Sequence, residues 1–272
     1  MDTLAIILPP LLYLLAAGML LRRLAAGVAA TANSKMIAIV TAFIASSLHG
    51  YSVYSGVVIG EGIILSFFLA LSFTSWLAAI LILLTSLRQP IENLGIAVFP
   101  FAALSLLLQG YHADSGFPLS SASSGLQAHI LISAISYSLL TLAALQAIML
   151  AIQNKQLRNR HPGGFIRALP PLETMESILF QLIAIGYLLL SLSLITGLPY
   201  ARDLIAQHLV HKTVLSVTAW FVFAILLWGR WRFGWRGRKA VRWTLSGFVT
   251  LMFAYFGSKM VLELILATRA GA

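Results

Sequence analysis

Again and again along this chain, a run of about twenty apolar residues passes with almost no charge. That is the length a helix needs to cross the roughly 30 Å hydrocarbon core of a bilayer. No other property of the sequence restricts the fold as much. A backbone inside lipid must satisfy its own N–H and C=O groups, which leaves helices or a closed barrel. Barrel strands run for about ten residues and alternate apolar with polar positions. The runs here are longer and apolar on every side. Charged residues make up 10% of the chain and hydrophobic residues 60%, whereas a soluble domain is about 25% charged. So few charges cannot cover a water-facing surface, but the chain can face lipid. The expected fold class is all-α integral membrane: a bundle of about eight transmembrane helices in a single membrane domain spanning residues 1–272. The spans are expected at roughly 3–21, 35–55, 62–86, 91–109, 125–153, 172–198, 208–228 and 241–266.

The cations orient the bundle. Of the 18 Lys and Arg residues, all but Arg202, Lys212, Lys259 and Arg269 fall in alternate loops: Arg22, Arg23 and Lys35; Arg88; Lys155 to Arg167; and Arg230 to Arg242. Basic loops stay in the cytoplasm, so both chain ends are expected on the external, periplasmic face. Met1 is followed by Asp2 rather than by a basic run, so the first apolar run reads as a permanent helix and not a cleaved signal. The net charge of +10 is accounted for by these loops. The stretch from Arg230 to Lys239, with its interleaved Trp residues, reads as a headgroup-level loop rather than a nucleic-acid surface. Pro170 and Pro171 ahead of Glu173 and Glu176 mark a helix start, with carboxylates at the positive end of the macrodipole. The chain has no cysteine, which excludes disulfides, thiolate metal sites and covalent haem attachment through thiols.

Six histidines carry most of the remaining chemical potential: His49, His112, His129, His161, His208 and His211. Under the orientation above, all but His161 fall toward the external side. An ionisable residue within a span is costly and marks a functional site by default, and His49 and His129 are the best instances. Each can equally be read as helix glue, a neutral ring satisfied by a carbonyl or a serine. If imidazoles from separate helices converge, they form the usual pair of axial ligands for a haem iron in a helical bundle. Zinc would need four close donors without any thiolate. Lys212, or Lys259, is placed to pair with a haem propionate, or simply snorkels to the interface.

Two stretches are similar to the cytochrome c assembly protein family, which includes the CcsA, CcmC and HemX-like proteins. Leu126-Gln-Ala-His129 followed by Ile-Leu-Ile-Ser-Ala-Ile-Ser136-Tyr137 resembles that family's histidine helix. An ordered series covers the C-terminal half: Leu172-Glu173, Gly186, Leu194-Ile-Thr-Gly197, Trp220-Phe-Val-Phe, Gly234-Trp-Arg-Gly-Arg and Tyr255-Phe-Gly257. The resemblance implies haem handling for cytochrome c assembly, with His129 at the position of the family's external haem-ligand histidine. The family's haem-handling members also carry a Trp-rich external motif. The corresponding interval here, Leu198 to Lys212, contains no Trp. The second external ligand histidine is replaced by the neighbourhood of Leu264, Ile265 and Leu266.

The expectation is therefore a haem-binding, multi-pass protein of the bacterial inner membrane, on the HemX-like branch, that assists cytochrome c assembly without being an enzyme. Haem b is the expected cofactor, with His129 and His49 as candidate iron ligands and His211 and Lys212 completing the site. The partners expected are the lipid bilayer and a membrane or periplasmic protein of the cytochrome or haem pathways, with no nucleic acid. A small-molecule or haem transporter and a non-catalytic membrane scaffold or regulator are the competing readings.

Overall fold

A computed structural model describes residues 3–26, 32–58, 67–111, 124–159, 169–200 and 210–254. They form eight α-helices: α1 (Thr3–Ala26), α2 (Ala32–Val58), α3 (Phe67–Ser86), α4 (Gly95–Tyr111), α5 (Ser124–Arg158), α6 (Leu172–Gly197), α7 (Val210–Phe233) and α8 (Gly237–Met252). Short 3-10 turns precede α4 and follow α6, and no strand occurs among the described residues. Each of the first seven helices contains a span long and apolar enough to cross a bilayer. The protein is an integral membrane helical bundle. α8 has 16 described residues; the rest of the span expected at 241–266 lies outside the described residues.

Where the sequence offers one continuous membrane domain, the helices group into two compact units. The first comprises residues 1–121 and 152–175, and the second comprises 122–151 and 176–272. In the first unit, α1 packs on α2 and α4, and α3 packs on α2 and α4. Small residues set the close approaches. Gly95 leaves no room for a Cβ beside the Phe99 ring and Leu20, and Phe99 stacks on Tyr13 with ring centroids 5.6 Å apart. Hydrogen bonds join helices that the hydrophobic effect cannot drive together in lipid. Ser75 and Ser105 hydroxyls meet at 2.6 Å, and Trp76 Nε1–H donates to the Ser46 carbonyl at 2.8 Å. At one end, Lys35 pairs with the buried Glu92 at 3.1 Å.

In the second unit, α8 packs along α7 through Ala240, Thr244, Gly247 and Leu251. Their spacing puts all four on one helix face, and Gly247 admits the buried Phe223 ring. α5 and α6 are joined by Ser136, whose hydroxyl donates to the Gly186 carbonyl at 2.8 Å. Gly186 has no side chain to keep Leu140 away. Trp220 on α7 donates to Ser191 Oγ at 2.8 Å and stacks on Tyr187. α7 runs to Phe233, past the end expected near residue 228, because Arg230 still finds partners on the helix side of the turn. Its guanidinium lies 4.6 Å from the Phe180 ring centroid and donates to the Trp235 carbonyl.

Candidate functional site

The in-span histidines sit in two different chemical settings, one in each unit. His49 lies in α2, 0% exposed. Its Nε2 is 2.8 Å from Ser72 Oγ and its Nδ1 is 3.3 Å from the Tyr13 hydroxyl, with the Tyr13 ring edge-on to the imidazole. Either tautomer satisfies this arrangement, because both hydroxyls can donate or accept. Both ring nitrogens are thus engaged by the protein itself. Serving as an iron ligand would require His49 to give up one of these bonds.

His129 differs. It lies in the second turn of α5, half-buried, beside the C-terminal end of α6. Nδ1 is 3.0 Å from the Ser193 carbonyl and 3.2 Å from Thr196 Oγ1. A carbonyl can only accept, so Nδ1 carries the hydrogen. The Thr196 hydroxyl is already committed as a donor to the Leu192 and Ser193 carbonyls, so its oxygen also accepts from the ring. In the neutral imidazole, this leaves the lone pair on Nε2. Nε2 has no hydrogen-bond partner among the described residues. The ring lies over Gly197, where a Cβ would come 2.9 Å from Cε1. Beneath it, Ser133 Oγ donates to the His129 carbonyl and meets Ser193 Oγ at 2.6 Å. Lys212, in the first turn of α7, is close enough for its charge to act on the His129 ring.

Of the residues singled out from sequence, His129 and Lys212 both lie in the second unit, and His49 is in the first. His211 belongs to the first turn of α7, but its side chain is outside the described residues. His112, His161, His208 and Lys259 are also outside them. Among the described residues, no group of three His, Asp or Glu side chains gathers as a metal site, so none offers zinc its several donors.

The sequence pattern described as "Cytochrome C assembly protein" matches residues 6–266. The chain belongs to the cytochrome c assembly protein family. It is similar to the inner membrane protein YpjD of Escherichia coli, 40% identical over 168 residues, covering 62% of this chain and 64% of that protein. It is also similar to an uncharacterized 28.8 kDa protein of Azospirillum brasilense, 34% identical over 51% of this chain and 52% of the relative. The cytochrome c biogenesis protein CcsA of Chlamydomonas reinhardtii is 26% identical over 71% of this chain and 57% of its own length. The chain thus spans between about half and two thirds of these relatives. No solved structure matches.

The residues that carry the family resemblance have visible work in the second unit. Gly186 and Ser136 bring α5 against α6. Gly197 makes room for the His129 ring. Trp220 holds α7 to α6, and Gly234, at φ +62°, ends α7 in the left-handed region that favours glycine. Sequence reasoning missed two features. Gly197 stands in the sequence as part of a pattern that does not reveal its close approach to the His129 ring. Glu176 was assigned to a helix start, yet its carboxylate accepts from Arg236 Nε at 3.0 Å and from the Gly237 N–H at 2.7 Å. The signal available for Glu176 is its place three residues before Leu179 and seven before Ile183, both buried, on one face of the helix.

Proposed function

We propose that this protein is a haem-binding, non-catalytic factor of cytochrome c assembly in a bacterial inner membrane, in which His129 Nε2 would hold the iron of haem b. The observation that carries the reading is the fixed His129 tautomer. Imidazoles that bind metals characteristically donate their other N–H to a carbonyl or carboxylate, which sets the ring's orientation and raises the basicity of the ligating nitrogen. The Ser193 carbonyl does this for His129. Haem, when bound, would supply an iron centre that a neutral imidazole can hold. Lys212 supplies a cation at the same end of the unit, suited to a propionate. His211, its neighbour in sequence, is the candidate second ligand. His49 acts as a structural residue on this reading. The family membership and the name of the Escherichia coli relative support the pathway and the membrane.

The test is the absorption spectrum of the detergent-purified protein loaded with haem. Wild type is expected to show a Soret band that His129→Ala shifts or loses. A Soret band unchanged in His129→Ala would remove His129 as ligand. The absence of any band in wild type would leave the scaffold reading, which the Trp-free interval Leu198 to Lys212 favours.

A further inference from the structure

The turn between α7 and α8 is built more firmly than a topology signal requires. Cations on a slack loop would be enough to keep it in the cytoplasm. Here the turn is fixed at three points. Gly234 and Gly237, at φ +62° and +54°, reverse the chain. The Gly234 and Trp235 N–H groups close onto the Arg230 and Gly229 carbonyls at 3.1 and 3.2 Å. The buried Glu176 of α6 grips Arg236 and the Gly237 N–H. Gly229 is necessary because a Cβ there would lie 2.5 Å from the Trp235 ring.

Two of the cations serve the fold: Arg230 on Phe180 and Arg236 on Glu176. Lys239 lies over the Trp235 ring and Arg232 over the Phe233 ring, 5.7 and 5.8 Å from the centroids. Arg232, Arg238, Lys239 and Arg242 are exposed, and none has a carboxylate partner among the described residues. Arg238, Lys239 and Arg242 are spaced one, three and four apart, so they share one face of α8. The opposite face is the one packed on α7, through Ala240, Thr244 and Gly247. Uncovered aromatic surface flanks this basic face: Trp231 is 82% exposed, with Trp228 and Phe233 also exposed. Trp is enriched at the membrane–water interface, where its ring sits among headgroups.

We propose that this turn is a binding site for an anionic phospholipid, with the basic face of α8 and Arg232 holding the headgroup phosphate and Trp231 lying at the same depth. A phospholipid fits better than a soluble polyanion. The cations stand at the end of the α7 span, and the aromatic rings at that end would have to be wetted by any ligand that arrives without acyl chains. Juxtamembrane basic clusters gain roughly fivefold in binding per cation close to an anionic surface.

The experiment is lipid retention by the full-length protein, measured by native mass spectrometry from detergent with phosphatidylglycerol and phosphatidylcholine supplied together. Wild type is expected to keep phosphatidylglycerol at least about tenfold better. Raising salt from 0.1 M to 1 M, which shortens the screening length from about 10 Å to about 3 Å, is expected to abolish the preference without any mutation. The triple variant R238Q/K239Q/R242Q is expected to lose it as well. E176Q separates a built site from bulk charge. It removes one negative charge, raising the net charge by one, yet releases Arg236 and the turn, so a built site predicts weaker retention and simple attraction predicts stronger. Equal retention of the two lipids, a preference that survives 1 M salt, or tighter binding by E176Q would each overturn the proposal. So would competition by a short oligonucleotide or by dibutyl phosphate at the same concentration as the lipid.

Discussion

Replacing His49 by alanine separates structural from ligating histidine most sharply. The substitution removes a fully buried imidazole that bonds Ser72 at 2.8 Å and Tyr13 at 3.3 Å across two helix interfaces. Interhelical hydrogen bonds in membrane proteins average about 0.6 kcal/mol and reach about 1.7. The short Ser72 bond belongs toward the upper end and the long Tyr13 bond toward the lower, giving about 2 kcal/mol together. Truncation also empties the space beside the Tyr13 ring edge. Large-to-small changes in soluble cores cost about 2–5 kcal/mol, but part of that is transfer from water, which is absent between helices in lipid. A further contribution of about 1 kcal/mol is therefore appropriate, for a total of about 3 kcal/mol. His129→Ala removes a half-buried ring with its N–H on one carbonyl, for about 1 kcal/mol. The assay is reversible unfolding in mixed detergent–SDS micelles followed by Trp fluorescence, with the Soret band of haem-loaded protein recorded in parallel. His49→Ala is expected to lose stability and keep its spectrum while folded; His129→Ala is expected to do the reverse. A His49→Ala protein within about 0.5 kcal/mol of wild type, the range of a neutral surface change, would refute the reasoning. So would a folded His49→Ala protein with no Soret band.

Gly197→Val pushes a side chain into the His129 ring. It is expected to weaken haem retention at least about tenfold, as loss of an orienting partner does, with little change in the unfolding midpoint; haem titration checks it. Trp220→Phe keeps the stack on Tyr187 but loses the bond to Ser191, and mixed-micelle unfolding should register about 0.6 kcal/mol. Gly229→Ala overpacks Trp235 and should cost about 1–3 kcal/mol, read as a lower melting temperature in detergent. Because the chain lacks cysteine, single substitutions report sidedness: Ser124→Cys should react with an impermeant maleimide in spheroplasts, and Lys155→Cys only after lysis. The opposite pattern would invert the orientation drawn from the loop charges.

The spans were legible because lipid leaves a chain few choices. About twenty apolar residues in a row fix a helix without any knowledge of its neighbours, and α6, expected at 172–198, occupies Leu172–Gly197. The ends were less legible where packing decides them. α7 continues past Trp228, where Arg230 holds Phe180 and the Trp235 carbonyl, and Phe180, on α6, lies outside any local reading of hydropathy. The division into two units was not legible at all. Apolar runs record contact with lipid or protein alike and do not say which helices share a core.

The same blindness separates the histidines. In sequence, His49 and His129 are both imidazoles in apolar helices with serine nearby, and hydropathy treats them identically. What distinguishes them is the kind of acceptor each nitrogen meets. Ser72 and Tyr13 present hydroxyls, which adapt to either tautomer and occupy both nitrogens of His49. Ser193 presents a main-chain carbonyl, which cannot donate, so it orders the proton on His129 and leaves the other nitrogen's lone pair defined. That carbonyl is near the end of α6, where the following residues include a glycine that lets the ring approach the backbone closely. On the haem-binding proposal, a ligand histidine here is a property of two helix ends meeting, and the spacing of residues along either helix alone does not encode it.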